Sequence, residues 1–264
     1  MSDHAFRPIL LYFLLIAVSA FGGTLVASVI TPRATPAAFA WLAKAVLVMA
    51  MVVAVTHAYL GRGRLRWRDF GVSPARLSNS LTKGTLGGTA LAGAWAGVLW
   101  LLSPFQLTWN PQLLATHFVA ASFGTIAMGI AEEVGYRSYG MRELQRLKGS
   151  TVAVMLPTAI FIAAHVAGGV PWQAGLLVVG SAGLVFAIVM LRTGNLPLVI
   201  ALHVATNLVQ DNLLRISKDS SLFLVSPAVA SAPPDRHLVW IAIGAINLIA
   251  AAGVLIWTRG GDDK

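Results

Sequence analysis

Residues 113–137 have the sequence LLATHFVAASFGTIAMGIAEEVGYR. The first part, 113–130, contains no Lys, Arg, Asp or Glu and approaches the roughly 20 apolar residues that cross a bilayer as a helix. Glu132 and Glu133 follow at its end. An ionisable side chain at membrane depth costs about 2.5 to 3.5 kcal/mol even on the more forgiving insertion scales, so such residues usually serve a function. The stretch therefore predicts a membrane helix that carries part of a functional site.

The whole chain has the composition of a polytopic membrane protein. Of its 264 residues, 57% are hydrophobic and 11% are charged, and the mean hydropathy is +0.75. The connections between apolar runs are short and marked by proline or glycine, which argues against a separate soluble domain. We predict an all-α bundle, a single membrane domain over 1–264 with about eight transmembrane helices. The predicted spans are 8–30, 38–60, 84–103, 113–136, 151–167, 173–191, 196–214 and 237–258.

The basic residues are distributed unevenly between the two sides of this arrangement. Of the 19 Lys and Arg residues, 14 fall at the termini and in the even-numbered loops, 4 fall in the other loops, and Lys44 lies inside a span. Basic residues concentrate on the cytoplasmic side, so both termini are predicted to be cytoplasmic. The arginines at 62, 64, 66 and 68 around Trp67 then indicate a membrane-surface anchor, and no nucleic-acid partner is expected. The chain has no cysteine, which excludes disulfides and a thiol nucleophile.

Three of the predicted spans carry polar side chains at helical spacing. Glu133 and Arg137 are four residues apart with the acid first, the favourable order for a helical ion pair. Glu132 points about 100° away from Glu133 around the helix. The next span contains His165, and the seventh contains His203 and Asn207 on one face. Taken singly, each His or Asn suits an ordinary interhelical hydrogen bond, which is our interpretation of His57 and His117.

A common depth in the membrane distinguishes the polar residues of these three spans from His57 and His117. If the fourth and fifth spans form a helical hairpin that turns at Gly149, Glu132 and His165 lie at the same height, since they are 17 and 16 residues from the turn. This requires the fourth helix to continue past Arg137 into the cytosol. His203 is about 12 Å from the cytosolic turn at Gly194. We therefore predict that these residues and Asn207 converge in one cavity facing the cytoplasm.

The order Glu-Glu-x-x-x-Arg (132–137), Phe-x-x-x-His (161–165) and His-x-x-x-Asn (203–207) resembles the CPBP family. This family comprises the CAAX proteases and bacteriocin-processing enzymes, also called Abi, and includes the type II CAAX prenyl endopeptidases. The core of the resemblance covers residues 113–210. It implies an intramembrane protease of the glutamate type, in which Glu132 activates water that His165 helps to hold. His203 and Asn207 correspond to the oxyanion-stabilising groups, and Glu133, Arg137 and Phe161 are supporting residues.

A zinc ion is the alternative catalytic group. Two histidines and a glutamate suit zinc, and Glu132, His165 and His203 would be the ligands. The sequence has no His-Glu-x-x-His segment, and we expect metal-independent catalysis without a cofactor.

The expected partners are membrane lipid and a membrane-associated or lipidated protein or peptide substrate, and the expected location is a bacterial inner membrane. Two other function classes stay open. One is an immunity or membrane-assembly factor that keeps the fold, and the other is a proton-coupled transporter, which lacks support from an inverted repeat.

Overall fold

The computed structural model describes residues 6–213, 220–227 and 235–259, and most of them are helical. The end of the seventh predicted span, at residue 214, and the loop cations Arg215 and Lys218 lie outside the described residues. The prediction of an all-α bundle is confirmed. The helices are α1 (Arg7–Ile30), α2 (Ala37–Arg62), α3 (Pro74–Leu102), α4 (Ala115–Arg137), α5 (Tyr139–Ala167), α6 (Trp172–Ala174), α7 (Ser181–Thr193), α8 (Leu196–Leu208) and α9 (Arg236–Arg259).

Several of these helices are long and apolar enough to cross a membrane. By length and composition, the described part of the chain contains six such segments: Arg7–Ile30, Ala37–Arg62, Trp67–Leu102, Ala115–Ala167, Trp172–Thr193 and Arg236–Ile256. The 53-residue segment contains both α4 and α5, and Leu196–Asp211 is a shorter apolar helix. Large apolar side chains such as Leu25, Val29 and Ile249 are exposed on the outside of the bundle, where lipid would cover them. The chain is an integral membrane protein, while the count of eight spans and their orientation stay predictions.

Helices α4 and α5 form the predicted hairpin. Glu132 lies beside His165, and the ring of Tyr136 contacts that of Phe161 at a centroid distance of 5.2 Å. The later residue of α4, Tyr136, contacts the earlier residue of α5, Phe161, so the two helices run antiparallel where they meet. The chain reverses at Gly149, where φ is 83° and ψ is 173°. Only glycine adopts such a backbone conformation without steric strain, so this position suits the turn.

The helix does continue past Arg137, but with a break that the sequence did not predict. At Ser138 φ is −95° and ψ is −116°, and helical geometry resumes at Tyr139. The break leaves carbonyl groups of the last turn of α4 without helical partners. The Tyr12 hydroxyl of α1 lies 3.2 Å from Val134 O and 3.0 Å from Gly135 O and can donate to either. Helix α1 therefore supports the end of α4 within one helical turn of the two glutamates.

Helix α8 is held against α3 by close packing at glycines. A Cβ atom on Gly84 would overlap Leu198 O, and one on Gly88 would overlap Leu202 O. The small-residue spacing Gly84-x-x-x-Gly88 allows two helix backbones to approach closely, as is common in membrane proteins. The hydroxyl of Thr206 on α8 donates to Gly88 O at 3.3 Å. Helix α3 therefore sets the position of the helix that carries His203.

A two-stranded antiparallel sheet connects two loops of the bundle and was missed by the sequence analysis. Strand β1 (Phe105–Trp109) follows α3, and strand β2 (Phe223–Pro227) precedes α9. Phe105 pairs with Pro227 and Trp109 with Phe223. The sequence FQLTW alternates apolar and polar residues, which is the period of a strand. The signal was present but was only five residues long.

Candidate active site

Glu132, His165, His203 and Asn207 come from three helices and lie together in the structure. Glu132 Oε1 is 3.8 Å from His165 Nε2, and Glu132 Oε2 is 3.5 Å from His203 Nε2. Asn207 Nδ2 is 3.0 Å from His203 Nε2. The predicted common height of the α4 and α5 residues explains why these side chains meet. The Glu132 carboxylate thus faces the Nε2 atoms of two imidazoles.

The side of the cluster formed by Glu132 and His165 is partly open. Their side chains are 19% and 28% exposed, whereas that of His203 is 5% exposed. His165 Nδ1 lies 2.9 Å from the carbonyl oxygen of Phe161. Because a carbonyl only accepts hydrogen bonds, Nδ1 carries the proton, and neutral His165 keeps a lone pair on Nε2. Nε2 is too far from Glu132 for a direct hydrogen bond, but a water molecule can bind to both groups.

Glu133 makes a contact that the sequence did not reveal. The predicted pair with Arg137 is present, with Nε 3.5 Å from Glu133 Oε2. In addition, Glu133 Oε1 lies 2.7 Å from His203 Nδ1. An ionised carboxylate only accepts hydrogen bonds, so Nδ1 of His203 carries a proton and donates a hydrogen bond to Glu133. Glu133 therefore fixes the orientation of the imidazole, and Nε2 is the nitrogen that faces Glu132.

Arg137 is fully buried behind this carboxylate. Its Nη2 donates to Gly183 O of α7 at 3.2 Å, and its guanidinium carbon lies 4.7 Å from the centroid of the Phe161 ring. A Cβ atom on Gly183 would lie 3.3 Å from Nη2, which is a tight contact. A buried charge is tolerated only when it is paired and hydrogen bonded. The ion pair with Glu133, the carbonyl and the ring meet part of this requirement.

Aromatic rings contact both imidazoles of the site. Phe186 of α7 stacks on that of His203, with centroids 4.5 Å apart and an interplanar angle of 21°. Phe161, a supporting residue predicted from the motif, contacts the ring of His165 edge-on at 4.3 Å. Sequence reasoning missed Phe186, because it belongs to an apolar helix without a motif. No periodic signal in the sequence distinguishes it from the other apolar residues of that helix.

The other two histidines contact aromatic side chains elsewhere. His57 Nδ1 accepts a hydrogen bond from Trp67 Nε1 at 3.2 Å, beside the predicted basic anchor. His117 packs edge-on against Phe39 at 5.4 Å. His57 thus makes a hydrogen bond, as predicted for it, but with the turn that follows α2, while the contact described for His117 is between rings of α4 and α2.

The alternative zinc site has suitable donor atoms in Glu132, His165 and His203. Both imidazoles present Nε2 to the carboxylate, and their Nδ1 atoms bond to other groups, as in many metal-bound histidines. Within the described ranges, however, no three His, Asp or Glu side chains are grouped closely enough to hold an ion without moving. Asn207 also occupies the Nε2 side of His203.

A comparison with protein families identifies the segment that contains all of these residues. Residues 111–209 match the family described as type II CAAX prenyl endopeptidase Rce1-like. This segment is Rce1-like. The match confirms the resemblance drawn from the three motifs and indicates a protease of the CAAX type. Helices α1, α2, α3 and α9 lie outside the Rce1-like segment. A comparison with curated proteins gives no match.

Proposed function

We propose that the protein is an intramembrane endopeptidase that hydrolyses a peptide bond near the cytoplasmic face of a bacterial inner membrane. The observation that carries this proposal is the position of Glu132. Its partly exposed carboxylate faces the Nε2 atoms of His165 and His203 at 3.8 Å and 3.5 Å. Amide hydrolysis needs a base beside a water molecule and hydrogen-bond donors near the developing charge. This group of residues can supply both.

The first step is activation of water by Glu132. The carboxylate takes a proton from a water molecule that also donates a hydrogen bond to Nε2 of neutral His165. The resulting hydroxide attacks the carbonyl carbon of the scissile bond and forms a tetrahedral intermediate. The proton held by Glu132 then moves to the leaving nitrogen, and the C–N bond breaks. Glu132 thus acts first as a base and then as an acid, which restores its starting charge.

His203 and Asn207 stabilise the tetrahedral intermediate. Asn207 Nδ2 is an N–H donor already, and it now lies 3.0 Å from His203 Nε2. His203 becomes a second donor only when Nε2 also carries a proton, which makes the ring an imidazolium. The carboxylate of Glu133, 2.7 Å from Nδ1, supplies the opposite charge while the intermediate exists, because Glu132 then holds the proton taken from water. Donors held in place before reaction are worth more in a water-poor site than in water.

Glu133 and Arg137 act through His203 and do not touch the substrate. Glu133 accepts a hydrogen bond from Nδ1 of the ring, and Arg137 forms an ion pair with the other oxygen of Glu133 at 3.5 Å. Both side chains are fully buried, so they keep one geometry. This arrangement orients Nε2 in the same way that a buried carboxylate orients the histidine of a serine protease triad. They are positioning residues.

The proposed substrate is a membrane-associated or lipidated protein or peptide, as the family description of a prenyl endopeptidase suggests. We propose metal-independent catalysis. If zinc were required, Glu132, His165 and His203 would hold it and zinc would activate the water. The two mechanisms differ in their response to chelation.

The test compares two glutamates of the same hairpin. Purified protein in lipid nanodiscs is incubated with prenylated and unprenylated peptides that end in a CAAX sequence, and products are identified by mass spectrometry. Glu132→Gln should lower turnover by about 10² to 10⁴-fold, the usual contribution of a general base. Glu143→Gln is the matched control, because Glu143 pairs with Arg146 at 2.8 Å on the outside of the molecule. Equal turnover of wild type and Glu132→Gln would disprove the mechanism. A folded wild type that cleaves none of the peptides would favour the immunity or assembly role.

A further inference from the structure

Asn247 on α9 is a fully buried polar side chain outside the Rce1-like segment. Its amide lies between Trp95 Nε1 of α3, at 3.0 Å, and Ser181 Oγ of α7, at 2.9 Å. An indole N–H can only donate a hydrogen bond, so the carbonyl end of the amide faces Trp95 and the NH₂ group donates to Ser181. Leaving any of these buried groups unpaired costs about 1 to 3 kcal/mol. Asn247 therefore joins three helices in one defined arrangement.

Ser181 begins α7 and directly follows a π-helix, Gly175–Gly180. Its oxygen accepts the hydrogen bond from Asn247, so its own proton is available to the carbonyl oxygens of Leu177 and Val178, 2.5 Å and 3.1 Å away. A π-helix is rare and has i→i+5 hydrogen bonds, and such turns are frequent at functional sites. The contact with Asn247 thus fixes the hydroxyl group that bonds to this wide turn.

The π-helix is packed tightly on two sides. On the side of α9, a Cβ atom on Gly244 would lie only 2.8 Å from Leu177 O, so the two backbones are in direct contact. On the other side, a Cβ atom on Gly180 would lie 2.8 Å from Ile162 Cδ1 of α5. The π-helix therefore lies between α9 and the helix that carries His165.

The register of α7 decides where the carbonyl group of Gly183 lies. Gly183 follows Ser181 by two residues, and its oxygen accepts a hydrogen bond from Arg137 Nη2 at 3.2 Å. If the π-helix relaxed to an α-helix, the register of α7 would shift by one residue, which rotates a helix by about 100° and moves it by about 1.5 Å along its axis. Gly183 O would then leave Arg137, whose ion pair with Glu133 supports the contact between Glu133 and His203.

We propose that Asn247 is a positioning residue, which together with Ser181 holds the π-helix and so keeps Gly183 O at Arg137. The consequence for catalysis rests on the proposed function, because Arg137 acts on the reaction only through His203. Buried amides in membrane helices also serve as plain interhelical hydrogen-bonding groups, which stabilise the fold alone. The two roles differ in whether loss of the amide changes the site in a protein that stays folded.

The first test compares Asn247→Ala with Asn110→Ala in the peptide cleavage assay. Asn110 is also fully buried and donates to Ser221 O at 2.8 Å, but it lies directly after β1, in the loop that leads to α4. We expect Asn247→Ala to lower kcat by about 10²-fold with little change in KM, the effect of a displacement of about 1 Å. Asn110→Ala should keep the wild-type kcat even where its melting temperature falls as far. Ser181→Ala should lower kcat as Asn247→Ala does, and the two losses should not add, because both remove one contact.

A second measurement requires no cleavage. In protein labelled with isotopic histidine, the Nδ1 proton of His203, hydrogen bonded to Glu133, should give a slowly exchanging NMR signal, which His203→Gln identifies by removing it. We expect Asn247→Ala to shift this signal and to speed its exchange with water by about tenfold, the equivalent of one weakened hydrogen bond. Asn110→Ala should leave the signal unchanged.

The two measurements separate this proposal from the proposed function. A changed His203 signal in Asn247→Ala supports the positioning role even if the wild type cleaves none of the peptides, a result that would refute the proposed function alone. If Asn247→Ala does not fold, Ser181→Ala provides the same comparison, since it removes the hydroxyl through which the amide acts. An unchanged signal in the folded variant, or equal kcat for Asn247→Ala and Asn110→Ala when the wild type is active, would overturn the proposal.

Discussion

Replacement of Gly88 by alanine tests whether close packing of α3 against α8 sets the catalytic geometry. The new Cβ atom would overlap Leu202 O and come within 2.9 Å of Ala205 Cβ. Non-bonded carbon atoms rest at about 3.5 to 4.0 Å, so α8 must move away from α3 by about 1 Å. His203 follows Leu202 directly in the sequence and would move with the backbone. Its Nε2 is 3.5 Å from Glu132 now, and a shift of this size is a large part of that distance.

The expected effect is on the rate more than on stability. A displacement of about 1 Å in a catalytic constellation can cost about 10²-fold in rate. Overpacking costs about 1 to 3 kcal/mol, but alanine recovers about 1 kcal/mol of helix propensity relative to glycine. We therefore expect a folded protein whose kcat falls by about 10²-fold in the peptide cleavage assay. The melting temperature measured in the same nanodiscs would show whether the fold is kept.

Gly87→Ala is the matched control on the same helix. A Cβ atom there would lie 3.7 Å from Leu202 Cδ1, an ordinary van der Waals contact. This variant gains the same helix propensity without moving α8, and we expect wild-type kcat. Equal kcat values for Gly88→Ala and Gly87→Ala, with both proteins folded, would refute the idea that this packing positions His203.

Three further predictions concern orientation, the buried ion pair and the oxyanion. Reporter fusions at the C-terminus and near Pro171 should report opposite compartments, because basic residues are concentrated on one side; the same compartment for both would contradict the eight-span arrangement. Glu133→Gln should destabilise the folded state by about 3 to 5 kcal/mol in denaturant titrations, since it leaves Arg137 buried without its counter-charge. An unchanged unfolding midpoint would show that the Glu133–Arg137 ion pair does not stabilise the folded state by this amount. Asn207→Ala should lower kcat by about 10² to 10³-fold with little change in KM, and wild type should stay fully active after exhaustive chelation. Stoichiometric zinc that is lost with activity and restores it on addition would instead establish the metalloprotease.

Much of the site could be predicted from the sequence because its signals are local. The interval between Glu133 and Arg137 places them on one face of any α-helix, and the same holds for His203 and Asn207. The distances of Glu132 and His165 from Gly149 equalise their heights in any hairpin that turns there. In membrane helices such residues are easy to recognise, since carboxylates are rare inside apolar runs. The three motifs also sufficed to recognise the Rce1-like segment.

Other features depend on how the helices are rotated and packed against one another. The hydrogen bond from His203 to Glu133, the stacking of Phe186 and the carbonyl of Gly183 at Arg137 join residues on different helices. Helical periodicity defines the face on which a side chain lies, but not which face of another helix it meets. The break at Ser138 likewise depends on Tyr12 from a distant helix. The sequence by itself determined which residues share a helix face and a depth. Only the tertiary structure decided that Glu133, which pairs with Arg137 on its own helix, also accepts a hydrogen bond from His203, because that contact joins helices far apart in the chain.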